Sequence, residues 1–219
     1  MTRLWLDAHD YGAQLLRGGD EPWRTPSSLG PFYGELAGLL RPWRLVVPVE
    51  PLLMSSLPRS GDTMDCAGAL DRLVGSAGFA QSLATGLATL AHSPAAPLCA
   101  PRLPGPSRLG SGLEDEDALD DVVAALGHIL RQIAGAALSG TILLDEPEAE
   151  ALGSVSPLLR IAEHAGVTLR LIGRDIATAD WDALPEGADD RENITVIPAD
   201  AQPEATLTRL AASRQGDTP

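Results

Sequence analysis

The stretch Ile142-Leu143-Leu144-Asp145-Glu146-Pro147 places two carboxylates directly after a short apolar run. A run of this length bounded by turn residues reads as a buried strand, and a proline has no N–H with which to continue the ladder. In α/β proteins, chemistry gathers where strands deliver polar groups at their carboxyl ends. The stretch therefore predicts an α/β fold with a site at Asp145 and Glu146.

Outward from it, strands and helices alternate. Apolar runs predict strands over 4–6, 45–49, 97–103, 141–144, 167–172 and 194–197. Helical spacing covers 29–40, then 70–90, where glycines divide the pattern in two. The clearest helix spans 117–138, with Val122, Leu126, Ile129, Leu130, Ile133 and Ala137 on its buried stripe and acids in its first turn. Further helices are expected over 157–165, ended by Gly166, and over 204–212. This alternation implies a mostly parallel sheet in a single α/β domain, 1–213, followed by a flexible tail, 214–219. Two more strands are expected within 52–54 and around 176–184.

Composition narrows the function. The 219 residues carry a net charge of −14, and all 16 cationic residues are arginine. That balance disfavours a nucleic-acid partner, because phosphate neutralisation needs a clustered basic surface. The lack of lysine rules out a Schiff-base lysine and the lysine of a P-loop. No apolar stretch approaches the roughly 20 residues of a membrane span, and no secretory signal opens the chain, so a cytoplasmic protein without a membrane partner is expected. Cys66 and Cys99 lack CxxC spacing and read as reduced thiols, with Cys99 a small buried group.

The residues following each strand are Asp7, His9 and Asp10, then Glu50, Arg102, Asp145 and Glu146, Arg174 and Asp175, and Asp200. In a parallel sheet these ends share one rim. Asp7 and His9, two residues apart on a strand end, would face the same side, and with Glu146 they make a divalent-metal site conceivable. No second histidine joins them, because His92, His128 and His164 fall in helices. The bland alternative is that Glu146 pairs with Arg102 or Arg174 and only positions loops. Paired carboxylates also serve glycosidases, but 4% aromatic content leaves few stacking platforms for sugar.

The string 143–147 is similar to a Walker B segment, yet no GxxxxGK[ST] loop accompanies it. A longer match runs from Ala96-Pro97-Leu98-Cys99-Ala100-Pro101-Arg102-Leu103-Pro104-Gly105-Pro106 through one long helix to Ile142–Pro147. It resembles the middle of the cobalamin-independent methionine synthase and uroporphyrinogen decarboxylase superfamily. Ser55-Ser56-Leu57-Pro58-Arg59 is similar to an element of the methionine synthase branch. The resemblance implies a (β/α) barrel of TIM type with its pocket at the carboxyl-end face, and methyl transfer to a thiol or decarboxylation of a polycarboxylate. Glu146, Asp145 and His9 would be catalytic, while Arg102, Glu50 and Asp7 would bind substrate, Arg102 clamping a carboxylate and Glu146 holding an amine or a metal. Zinc belongs to the methyltransferases of this group, but the expected His-x-Cys pair is absent and no cysteine follows Cys99. A non-catalytic binding or partner subunit that kept the fold is therefore the alternative.

At 219 residues the chain is near the lower limit for a barrel of roughly 250 residues. The expectation is a barrel trimmed to fewer than eight strands, or an open doubly wound sheet. Exposed strand edges would favour a homodimer.

Overall fold

The computed structural model describes residues 3–56, 66–109, 116–136, 138–146, 152–184 and 192–214. The sequence readings at Pro147, Leu57-Pro58-Arg59 and the tail from 215 onward lie outside those residues. The described strands are β1 (Arg3–Asp7), β2 (Arg44–Pro48), β3 (Cys99–Pro104), β4 (Thr141–Asp145), β5 (Thr168–Leu171), β6 (Ala177–Thr178) and β7 (Glu192–Val196). Between and around them run α1 (His9–Arg17), α2 (Leu29–Leu40), α3 (Glu50–Ser56), α4 (Cys66–Val74), α5 (Ala77–Ala91), α6 (Pro106–Leu109), α7 (Glu116–Ala134), α8 (Leu152–His164) and α9 (Pro203–Arg214).

All seven strands are parallel and lie in the order β5-β4-β3-β2-β1-β7-β6. That order is the chain order read around a circle opened between β5 and β6. Only residues 172–176 link these two edges. Laid flat, seven strands would hold the edges about 29 Å apart at six interstrand spacings. Six residue steps from Leu171 to Ala177 reach at most about 20–22 Å when fully extended. The link is further contracted by a turn, in which Asp175 N–H donates to Leu171 O at 2.8 Å and Gly173 N–H donates to Ile176 O at 2.8 Å. The sheet must therefore curl, and it forms a half-barrel.

The two faces differ accordingly. Leu4, Leu6, Leu45, Val47, Leu103 and Leu144 alternate outward and pack into one large core with the helices. The intervening positions Trp5, Val46, Ala100, Leu143 and Ile194, joined by Ile172 and Ile176, form a separate small core inside the curl, to which no described helical residue contributes. Helical side chains thus enter on one face, unlike the two-sided cover of a doubly wound sheet. At the amino end of the interior, Arg170 of β5 pairs with Glu192 of β7, which also accepts from Trp5 Nε1 at 3.2 Å. Five strand positions separate β5 from β7 along the sheet, so this ion pair exists only because the sheet is curled.

Several sequence readings are corrected. Residues 52–54 belong to α3 and not to a hidden strand, because Leu52 and Leu53 are buried at successive positions of one helical turn. Helix α8 begins at Leu152, five residues before Pro157. The helix accepts the missing N–H of Pro157 because Val155 and Leu158, on either side of it, are wholly buried. Helix α7 stops at Ala134, ahead of Gly135, and short of 138. Helix α1 was not foreseen, since its nine residues offer too few apolar positions to show a period.

Helix α2 buries Leu29, Phe32, Tyr33, Leu36 and Leu40, each worth about 1.5–3 kcal/mol for the aliphatic and phenyl groups. It lies so close to α5 that a Cβ on Gly30 would stand 2.2 Å from the backbone oxygen of Thr89. Backbone cannot yield there as a side-chain end would. Gly30→Ala is expected to lower stability by roughly 1–3 kcal/mol in urea unfolding, and an unchanged midpoint would contradict this packing.

Candidate functional site

Strand alternation decides which polar groups reach the interior of the curl. Asp7 shares the inward phase of Trp5, Arg102 that of Ala100, and Asp145 that of Leu143. Asp7, only 6% exposed, accepts from Arg102 Nη1 at 2.5 Å. Beyond β3 the chain enters α6, and Arg108 Nη2 reaches back to Asp145 Oδ1 at 3.1 Å. Two arginines and two carboxylates thus meet at the carboxyl-end mouth.

All but Asp7 border a cavity of about 480 Å³, a volume ordinary for small-molecule sites. Arg102, Arg108 and Asp145 form one polar wall. Ile172, Ile194 and Val196 supply an apolar wall, and the segment carrying Thr178, Asp180, Trp181 and Asp182 completes it. Arg209 of α9 pairs with Asp182 at 2.7 Å and stacks its guanidinium 5.2 Å from the Trp181 ring, holding that segment in place. A second hollow, about 610 Å³, lies among Arg131, Pro157, Ile161 and His164. Its lining comes from α7, α8 and the residue after α8, and no described strand residue borders it.

Glu146 has a different position from its neighbour. Its buried carboxylate accepts the Ser107 backbone N–H at 3.0 Å and the Ser107 hydroxyl. Gly105 N–H donates to Asp145 O at 2.9 Å, and a Cβ on Gly105 would come within 2.6 Å of Glu146 Oε2. Glu146 therefore ties the turn after β3 to the end of β4, and this bracing sets where Arg108 starts from. It pairs with Ser107, whereas Arg102 goes to Asp7 and Arg174 lies 3.9 Å from Asp175.

His9 leaves the strand phase altogether. The chain turns into α1 at His9, so Asp7 faces the interior while the imidazole is buried toward α2. Its Nδ1 lies 2.8 Å from Tyr33 Oη and its Nε2 lies 2.8 Å from Glu21 Oε1. Burial pushes the Glu21 carboxyl up, but the His9 hydrogen bond and charge, the Trp23 N–H and Arg24 together hold it below its ordinary value. An ionised Glu21 only accepts, so Nε2 carries a proton, and in the neutral ring Nδ1 accepts from Tyr33. Burial, reinforced by Asp7, Cys99 and Glu21, keeps the Tyr33 phenol protonated well above its usual range. The contribution of Glu21 to stability is present above about pH 4.5 and is lost as pH falls through its lowered folded-state value.

Glu50, the first residue of α3, is exposed and does not line the cavity. Of the six residues singled out from the sequence, Asp7, Arg102 and Asp145 come together at the mouth, while His9, Glu146 and Glu50 stand apart. Sequence reasoning missed Arg108, four residues past β3 within α6, and the part that the 178–182 segment plays at the site, although a strand was expected around 176–184 and β6 falls inside that span. The described lining includes no histidine or cysteine, and Cys99 sits on the outer face with burial pushing its thiol up to about 12. These residues do not fit a thiolate-bound zinc at the mouth. No family model, curated protein or solved structure matches the chain, and no described helix is long and apolar enough to cross a membrane.

The two adjacent acids should respond differently to substitution. Glu146→Ala strands the Ser107 donors and is expected to cost roughly 1–3 kcal/mol, whereas Asp145→Asn, facing a half-exposed arginine, should stay within about 0.5 kcal/mol of the parent. Urea midpoints measured side by side decide it, and equal losses would contradict this division.

Proposed function

We propose that the half-barrel, a trimmed relative of the TIM type, binds a small zwitterion at its mouth, with a carboxylate against Arg102 and Arg108 and an ammonium against Asp145 or Asp180. The observation that carries this reading is the pairing of opposite charges around one cavity with an apolar wall. Each arginine is oriented through a single nitrogen, Nη1 of Arg102 and Nη2 of Arg108, so further N–H donors of each guanidinium remain for a ligand carboxylate. Opposing acids make a simple dicarboxylate a poorer fit than an amino-acid-like molecule.

The reading keeps the carboxylate clamp implied by the resemblance to the methionine synthase and uroporphyrinogen decarboxylase superfamily. It leaves out zinc-dependent methyl transfer, for which the lining offers no thiolate. The role is that of a binding or partner protein. A decarboxylase is the second reading, and the two arginines facing one cavity favour it over a methyltransferase.

Thermal melts with a panel of α-amino acids, with succinate and ethylamine as controls, test the reading. One or more zwitterions should raise the melting temperature, and Arg108→Gln, at a half-exposed position, should abolish the rise while leaving the unliganded melt unchanged. Stabilisation by succinate alone, or a rise that survives Arg108→Gln, would contradict it.

A further inference from the structure

Away from the mouth cavity, one imidazole and two carboxylates converge where α1 begins. His9, Asp10 and Glu21 each offer a donor atom, and these atoms all lie within 4.8 Å of one another. The segment between α1 and α2 returns to this end of the sheet, because Trp23 Nε1 donates to Pro48 O at the end of β2 at 2.7 Å. Glu21 is carried back with it to His9.

We propose that His9 Nε2, Asp10 and Glu21 form a site for a divalent transition metal of the zinc, cobalt or manganese class. Donors around one such ion stand about 3–3.5 Å apart at bond lengths near 2.0–2.2 Å, so modest side-chain rotation from the present spacing suffices. One imidazole with two carboxylates suits borderline and harder divalent ions and leaves positions for water. The ion takes the Nε2 lone pair once the ring proton has moved to Nδ1, which then donates to Tyr33 Oη, so the imidazole stays neutral and no proton is lost from it. Tyr33 Oη on Nδ1 is the orienting partner that ligating histidines usually have, and it is held in place by the core around α2. The Trp23 N–H at 3.1 Å likewise fixes Glu21 Oε1.

The arrangement also has a feature that a plain histidine–glutamate hydrogen bond does not need. Asp10 brings a second carboxylate into reach of Glu21, yet its side chain makes no hydrogen bond or ion pair among the described residues. A cation between them would use both carboxylates as ligands. The bound ion would fasten the first turn of α1 to the returning segment, and so stiffen the rim beside β1 and β2.

The test uses the full chain, free of any affinity tag and stripped with EDTA, titrated with Zn²⁺, Co²⁺ and Mn²⁺ and followed by calorimetry and thermal melts, with Mg²⁺ for comparison. One ion per chain should bind, and at a hundredfold excess over its Kd the melting temperature should rise by about 5–10 °C. Asp10→Asn, an exposed substitution, should weaken binding at least tenfold while leaving the metal-free melt unchanged. His9→Gln alters a buried residue that also holds Tyr33, so the visible spectrum of the Co²⁺-loaded parent serves as the independent readout, showing mixed nitrogen and oxygen ligation. Absence of binding by all three ions, or equal affinity in Asp10→Asn, would overturn the proposal.

Discussion

The structure depends on how little chain joins β5 to β6. Residues 172–176 cannot stretch across a flat seven-stranded sheet, so the edges are drawn toward each other and the sheet acquires an inside. The inside is small. Trp5, Val46, Ala100, Leu143 and Ile194 fill its middle, the Arg170–Glu192 pair with Trp5 closes its amino end, and the remaining space opens at the carboxyl end. A cavity at the mouth is what is left once apolar side chains have occupied the lower layers of the curl.

Polar groups at that mouth are held by one another. Asp7 orients Arg102 and Asp145 orients Arg108, while Glu146 and Ser107 fix the turn from which Arg108 reaches. An arginine held by a carboxylate loses less side-chain entropy on meeting a ligand than one free in solvent. The buried His9, with Tyr33 and Glu21 on its two nitrogens, does the same work on the helical side of β1. Carboxylates on this rim thus orient cations or imidazole.

The α/β class, the parallel sheet and most strand positions were legible because apolar runs and helical periods are local properties of the chain. The span 29–40 matches α2 to the residue, since its buried face repeats cleanly and Arg41 ends it. What depends on register was not legible. Asp145 and Glu146 are adjacent and chemically alike, and only the pairing of Pro104 with Asp145 and of Arg102 with Leu143 decides that Asp145 faces inward. His9 was read in the phase of Asp7 because nothing local marks the start of α1. β6 falls inside the strand expected around 176–184, but its two residues carry no period, so the sequence marks neither its bounds nor the brevity of the link to β5.

A double-mutant cycle at Arg170 and Glu192 measures that curl most directly. The account predicts that Arg170→Ala and Glu192→Ala, alone and together, give a coupling free energy of about 1–2 kcal/mol in urea unfolding. Additive losses, with coupling indistinguishable from zero, would mean that β5 and β7 do not face each other across the curled interior.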